Sequence, residues 1–158
     1  MPYSIIIPIH NEESSIPELL NELKEYSYSN EILFIDDGST DFSNKLLKKS
    51  SYSKLITNKK NSGKGVALRK GIKNAKYRKI IIFDGDLELK SSEIKNLMIL
   101  DKKNNINCVY GSRYSSINPF NSLWTFGNFF FTFLFNLLNK SNLTDALCCA
   151  KAFYKKDI

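Results

Sequence analysis

The sequence predicts an α/β fold in which a mainly parallel sheet carries helices on both faces. Two observations lead there. The apolar runs from Tyr3 to Ile9, Glu31 to Ile35 and Lys79 to Phe83 are short, β-branched and continuous, as strands buried on both faces are. Between them lie segments whose apolar residues recur at helical spacing, so strand and helix alternate along the chain. At 158 residues the chain suits one domain, residues 1–158, with enough surface to bury a real core.

In chain order, the first strand ends at a turn, and Ser14 or Ser15 can cap a helix with Pro17 and Glu18 in its first turn. Ile16, Leu19, Leu20, Leu23 and Tyr26 then share one helical face. The second strand closes on Asp36-Asp37-Gly38-Ser39. A helix is expected from Ser43 to Lys49, a strand from Lys54 to Thr57, and a Gly-rich entry into a helix from Gly63 to Ala75. The strand ending at Phe83 runs into Asp84-Gly85-Asp86. Ser91 or Ser92 can cap a helix reaching Leu100, and a strand from Asn107 to Tyr110 precedes Gly111-Ser112-Arg113.

The segment Pro119 to Asn139, "PFNSLWTFGNFFFTFLFNLLN", holds no charge. Its length approaches the roughly 20 residues of a membrane span. Asn121, Thr125, Asn128, Thr132, Asn136 and Asn139 recur every three or four residues and draw a polar stripe along an aromatic helix. Such a stripe suits a helix lying in a membrane interface, or packed along another element, better than a lone spanning helix. Burial inside the domain is the plainer alternative.

Composition narrows the function classes. With 42% hydrophobic and 13% aromatic residues the chain is globular, not disordered. A formal net charge of +7 favours anionic partners, or marks a solvated Lys-rich surface. Cys108, Cys148 and Cys149 lack the spacing of a zinc site and fit a reduced, cytoplasmic setting. The N-terminus does not read as a signal peptide.

In parallel sheets of this kind ligands bind beyond the carboxyl ends of the strands. Glu12-Glu13, Asp36-Asp37 and Asp84/Asp86 all fall there, so topology predicts their convergence on one edge. Asp84 and Asp86, two residues apart across a glycine, are hard oxygen donors of the kind Mg²⁺ or Mn²⁺ takes, with substrate phosphates completing the shell. An ordinary solvated acidic turn has the same sequence. Asp37 could accept hydrogen bonds from ribose hydroxyls or a base, and Lys64 could meet phosphate at a helix entry. Neither a P-loop nor G-x-G-x-x-G spacing occurs. His10, the single histidine, reads as a wall of the site, because no nucleophile is placed with it. Arg113 suits a phosphate or a structural carboxylate partner equally. Nucleic acid is not expected as a partner, since clustered acids repel its phosphates.

Taken in order, "SIIIPIHNEE", "EILFIDDGSTD", "NKKNSGKGVALRKGI", "IIIFDGDLE", "VYGSRY" and "LTDALCCAKAF" resemble the motifs of family 2 glycosyltransferases with the GT-A, Rossmann-like fold. Within that family the chain looks most like the polyprenyl-phosphate branch, the dolichol-phosphate sugar synthases. The resemblance implies inverting transfer from a UDP- or GDP-sugar to a polyprenyl or dolichyl phosphate at the cytosolic membrane face. By resemblance Pro8, Glu12 and Asp37 line the nucleoside pocket. Asp84 and Asp86 hold the donor diphosphate through Mg²⁺ or Mn²⁺, with Glu88 as a further ligand, and Arg113 holds acceptor phosphate and diphosphate. Asp145 matches the position that carries the general base in many members. An anionic lipid phosphate needs no strong base, whereas a saccharide hydroxyl acceptor does. Asp145 therefore separates the two acceptor classes. Cys148-Cys149-Ala150 stands where relatives carry a Ser-Gly-Phe-like run. A sugar nucleotidyltransferase is disfavoured, because "PIHNEES" replaces its Gly-rich loop.

Overall fold

The computed structural model describes residues 1–113 and 123–158. Strand β1 (Tyr3–Ile9) leads through helix α1 (Ile16–Ser27) to β2 (Glu31–Asp36), then α2 (Ser43–Leu47) and β3 (Lys54–Thr57). Helix α3 (Lys64–Asn74), β4 (Lys79–Ile82), α4 (Ile94–Leu97), β5 (Cys108–Tyr110), α5 (Leu123–Asn139) and β6 (Lys151–Tyr154) follow. The six strands form one sheet in the order β3-β2-β1-β4-β6-β5. The first four are parallel, and β6 is antiparallel to both of its neighbours. The mainly parallel α/β sheet expected from the sequence is present.

Alternate residues of each strand point to opposite faces, so a strand covered on both sides must be apolar throughout. Ile5, Ile7 and Ile9 join Phe34 and Phe83 on the face covered by α1, through Ile16, Leu19 and Leu23. Ile6 joins Leu33, Ile35, Ile80 and Ile82 on the face covered by α3, through Ala67.

Several sequence expectations are corrected. Strand β6 was not expected: "KAFY" is too short a run to signal a strand, and it enters the sheet between β4 and β5. The helix expected to reach Leu100 is a 3₁₀ turn, Ser91–Glu93, followed by the four residues of α4, because Met98 leaves helical dihedrals (φ −80°, ψ 32°). Ser15 precedes α1 but makes no side-chain cap; its hydroxyl donates to the carbonyls of Glu12 (3.1 Å) and Gly85 (2.8 Å) instead.

Residues 119–122 of the uncharged segment, with Asn121, lie outside the described residues, as does the Thr125 side chain. Within α5, Thr132 and Asn136 of the polar stripe face inward, whereas Asn139 at its end is exposed. The Thr132 hydroxyl accepts from the Ala146 amide (3.2 Å), and Asn136 Oδ1 accepts from the Ser141 hydroxyl (2.8 Å) and the Leu143 amide (2.9 Å). The aromatic face, including Phe130, Phe131 and Phe133, is about half exposed, so burial of this helix in the domain is overturned. Among the described residues no helix is long and apolar enough to cross a membrane.

Candidate active site

Parallel register aligns the carboxyl ends of three strands. Ile9 lies opposite Asp36 and Ile6 opposite Ile82, so the turns that follow share one edge. A cleft of about 270 Å³ opens there, lined by Pro8, His10, Glu12, Asp37, Lys64, Asp84 and Asp86. These are the residues expected at the nucleotide, together with both acids of the Asp-Gly-Asp turn.

Asp37 is buried and organises the cleft floor. Its carboxylate accepts from Asn58 Nδ2 (2.6 Å) and from the Ser62 amide (3.1 Å to each oxygen). The loop before α3 thereby closes over Gly38, which has φ 70° and where a Cβ would sit 2.5 Å from the Lys60 carbonyl carbon. The His10 ring is fixed between the Asp37 carbonyl (Nδ1, 3.1 Å) and Asn61 Nδ2 (Nε2, 2.9 Å). Since the amide can only donate to Nε2, the hydrogen-bond network assigns the proton to Nδ1. His10 is thus a wall of the cleft, held by the Asp37 turn.

In the acidic turn, Asp84 is ion-paired with Lys64 at 2.6 Å. Burial alone would lower the Lys64 ammonium, but its hydrogen bond to Asp84, aided by Cys149, holds it above the usual lysine value. Gly85 is packed so closely that a Cβ would lie 2.3 Å from Ile9 Cδ1, which explains a glycine between the acids. Asp86 is exposed, and its Oδ1 accepts from the Glu88 amide (3.0 Å) across Leu87, whose φ is 60°. Glu88 turns away from the other two acids and lies 4.0 Å from Arg113 Nη1. Glu88 thus has a different cationic neighbour from Asp84, which pairs with Lys64. Among the described residues no three Asp, Glu, His or Cys side chains are gathered for a metal, and Glu88 lines a different cleft from Asp84 and Asp86.

Asp84 and Asp86 still fit a divalent cation whose remaining ligands are phosphate oxygens and water, the usual arrangement for Mg²⁺. The electrostatics agree. Burial, then the charge on Asp86, with smaller parts from Asp41 and Asp84, raise the Glu12 carboxyl above its ordinary value despite a Ser15 hydrogen bond. The acids of this edge repel one another, which a cation would relieve.

Arg113 and Asp145 lie outside this cleft. Asp145 is buried; its Oδ2 accepts from Arg113 Nε (2.9 Å) and the Arg113 amide (3.3 Å), and its Oδ1 from Nη2 (3.3 Å) and the Leu147 amide (3.2 Å). Arg113 borders a second cleft of about 340 Å³ with Glu88, Lys90 and Tyr110. The 84–88 turn divides the two, with Asp86 on the first and Glu88 on the second.

Residues 4–158 match the family model of glycosyl transferase family 2. The chain belongs to this family. Family 2 relatives include a dolichyl-phosphate beta-glucosyltransferase of Dictyostelium discoideum, 34% identical over 128 residues, or 70% of this chain and 39% of that protein. An undecaprenyl-phosphate 4-deoxy-4-formamido-L-arabinose transferase of Pseudomonas fluorescens (strain Pf0-1) is 34% identical over 125 residues, 72% of this chain and 36% of that protein. These names support the polyprenyl-phosphate branch that the motifs resemble. The chain spans less than half the length of either relative. Among solved structures, glucosyl-3-phosphoglycerate synthase of Mycobacterium tuberculosis with uridine diphosphate superimposes with a TM-score of 0.71 at 16% identity. It covers 98% of this chain and 57% of its own, and at that identity the likeness speaks for the fold.

Sequence reasoning missed the supports of the first cleft. Ser15 ties α1 to the acidic turn, and Asn58 and Asn61 steady Asp37 and His10. Cys149 was noted only as a departure from the family pattern. Its thiol is pushed up to about 11 by burial, then by the charge of and hydrogen bond to Asp84. That departure, just ahead of "KAF", was the available signal.

Proposed function

We propose that this chain carries the catalytic site of an enzyme that transfers a sugar, with inversion, from a UDP- or GDP-linked donor to a polyprenyl phosphate. The observation that carries the acceptor assignment is the Arg113–Asp145 pair. Asp145 is buried and bonded through both oxygens to Arg113, so it is poorly placed to take a proton from a hydroxyl. It is well placed to aim a guanidinium. A phosphate acceptor is already anionic, so it needs that cation and no strong base.

The donor nucleoside belongs in the first cleft, between Pro8 and His10 on one side and Lys64 on the other, with Asp37 offering carboxylate acceptors and Glu12 at the rim. Bound between Asp84 and Asp86, Mg²⁺ or Mn²⁺ would supply Lewis-acid neutralisation of the leaving diphosphate. Arg113, across the 84–88 turn, steadies the acceptor phosphate and the charge that develops on the donor side. Relatives named for dolichyl- and undecaprenyl-phosphate substrates support the same acceptor class. The test is a screen of UDP- and GDP-sugars with and without polyprenyl phosphate. Glycolipid should form only when lipid phosphate and a divalent metal are both present. Equal transfer to a free saccharide without lipid would overturn the acceptor assignment.

The exposed aromatic face of α5, on a chain of net charge +7, supports peripheral binding at the cytosolic face of an anionic membrane. Replacing Phe130 and Phe131 by Ser should lower flotation with anionic liposomes about tenfold, two half-exposed phenyl rings being lost. Unchanged flotation would remove α5 from the membrane-binding surface.

A further inference from the structure

We propose that Lys64 is a built-in competitor for the metal carboxylate: Lys64 and a divalent cation contend for Asp84, and the donor diphosphate settles the contest by drawing the ammonium to itself. The inference rests on the reading of the first cleft as a nucleotide-diphosphate site. It concerns what couples metal binding to nucleotide binding there.

The geometry points to competition. Lys64 Nζ lies 2.6 Å from Asp84 Oδ1, a direct contact with a carboxylate the cation would also touch. A divalent ion on either oxygen of Asp84 would share a few ångströms with the ammonium, and like charges at that range repel strongly in a partly desolvated cleft. The structure also gives Lys64 somewhere else to go. It is the first residue of α3, its side chain is 52% exposed, and it lines the same cleft as Asp86 and Asp37. Its long flexible stem carries a compact charge with three rotatable donors, so it can swing to a phosphate without moving the helix. The Asp84 side chain is only 25% exposed and is bordered by Gly85, which has no room for a side chain. The carboxylate stays and the cation partner changes.

Two consequences follow by linkage. Without nucleotide, Lys64 weakens metal binding. With nucleotide, the same ammonium adds to diphosphate binding, so metal and nucleotide bind cooperatively.

Mn²⁺ alone is titrated by electron paramagnetic resonance, and UDP and GDP by calorimetry with and without Mn²⁺, in the wild type, Lys64→Met and Lys64→Arg. In Lys64→Met, Mn²⁺ alone should bind about fivefold tighter, the scale of a partly exposed ion pair. The nucleotide that binds with Mn²⁺ should bind about tenfold weaker, the scale of one charge-assisted hydrogen bond. Lys64→Arg, which keeps the charge, should bind Mn²⁺ alone as the wild type does. In an Asp84→Asn background, Lys64→Met should leave Mn²⁺ affinity unchanged, which separates competition at Asp84 from a general change in charge. Unchanged Mn²⁺ affinity in Lys64→Met overturns the proposal, and so does a parallel loss of metal and nucleotide binding. If the wild type binds neither nucleotide with Mn²⁺, the reading of the cleft fails and takes the diphosphate half of the proposal with it. The Mn²⁺-only comparison still decides the competition itself.

Discussion

Asp86→Ala should lower Mn²⁺-dependent affinity for UDP or GDP by at least about a hundredfold, since loss of even an outer-shell partner of a metal costs about 10- to 100-fold. The expectation follows from how little else Asp86 does. It is exposed, and its resolved partner within the chain is the Glu88 amide at 3.0 Å. It lines the cleft beside Asp84, whose own carboxylate is engaged by Lys64. With Glu88 turned toward Arg113, Asp86 is the one carboxylate of the 84–88 turn not held by a cationic side chain among the described contacts. Removing it leaves a single carboxylate, which is thin support for Mg²⁺ or Mn²⁺. Asp86→Asn separates charge from geometry, because the amide oxygen can still accept from Glu88 and keep Leu87 in its left-handed conformation. Asn should fall nearly as far as Ala in metal-dependent binding. Both variants should melt within about 2 °C of the wild type, as surface substitutions do. Wild-type nucleotide affinity in Asp86→Ala with metal present would refute the metal site.

What the sequence made legible, and what it hid, divides by range. Strands β1, β2 and β4 were readable because burial on both faces demands an unbroken apolar run, and the limits of β1 and of the half-exposed edge strand β3 match the expected ones. The meeting of Glu12, Asp37 and Asp84 was readable because parallel strands place all their carboxyl ends on one edge. Strand β6 was hidden because its position depends on pairing with β4, some seventy residues earlier, and not on its own four residues. Ser15 looked like a cap because local sequence favours that use, while its actual partner, the Gly85 carbonyl, lies 70 positions away. The stripe on α5 revealed two faces but not which of them meets the protein. Thr132 and Asn136 turn inward because the 141–146 loop offers backbone groups that need partners, and that loop has no periodic signature. Glu88 joined the acids by resemblance to the family. Only the left-handed Leu87 shows that the chain has turned the residue toward Arg113.

Asp145→Asn decides between a positioning residue and a base, and the two roles leave different traces. If Asp145 positions Arg113, the substitution removes the counter-charge of a guanidinium that is only 30% exposed. Truncating one partner of a fully buried pair costs about 3–5 kcal/mol, and the partial exposure of Arg113 reduces this to about 2 kcal/mol. For a domain of this size that is a drop in melting temperature of about 4–8 °C. Catalysis should fall together with that of Arg113→Ala, and the double variant should be little worse than either single one, because both remove the same aimed cation. Lys at position 113 should not rescue, since an ammonium cannot reproduce the contacts that Nε and Nη2 make to both carboxylate oxygens. If Asp145 were instead the general base, turnover should fall by about 10²–10⁴ with the melting temperature nearly unchanged. The pH–rate profile would then lose its acidic limb, which reports ionisation of the base, while Arg113→Ala would keep it. Four N–H donors already converge on this carboxylate from Arg113 and Leu147. The expected result is therefore coupled loss of stability and Arg113 function, with a pH–rate profile of the same shape as the wild type's. An intact melting temperature with the acidic limb abolished would make Asp145 the base and the acceptor a hydroxyl.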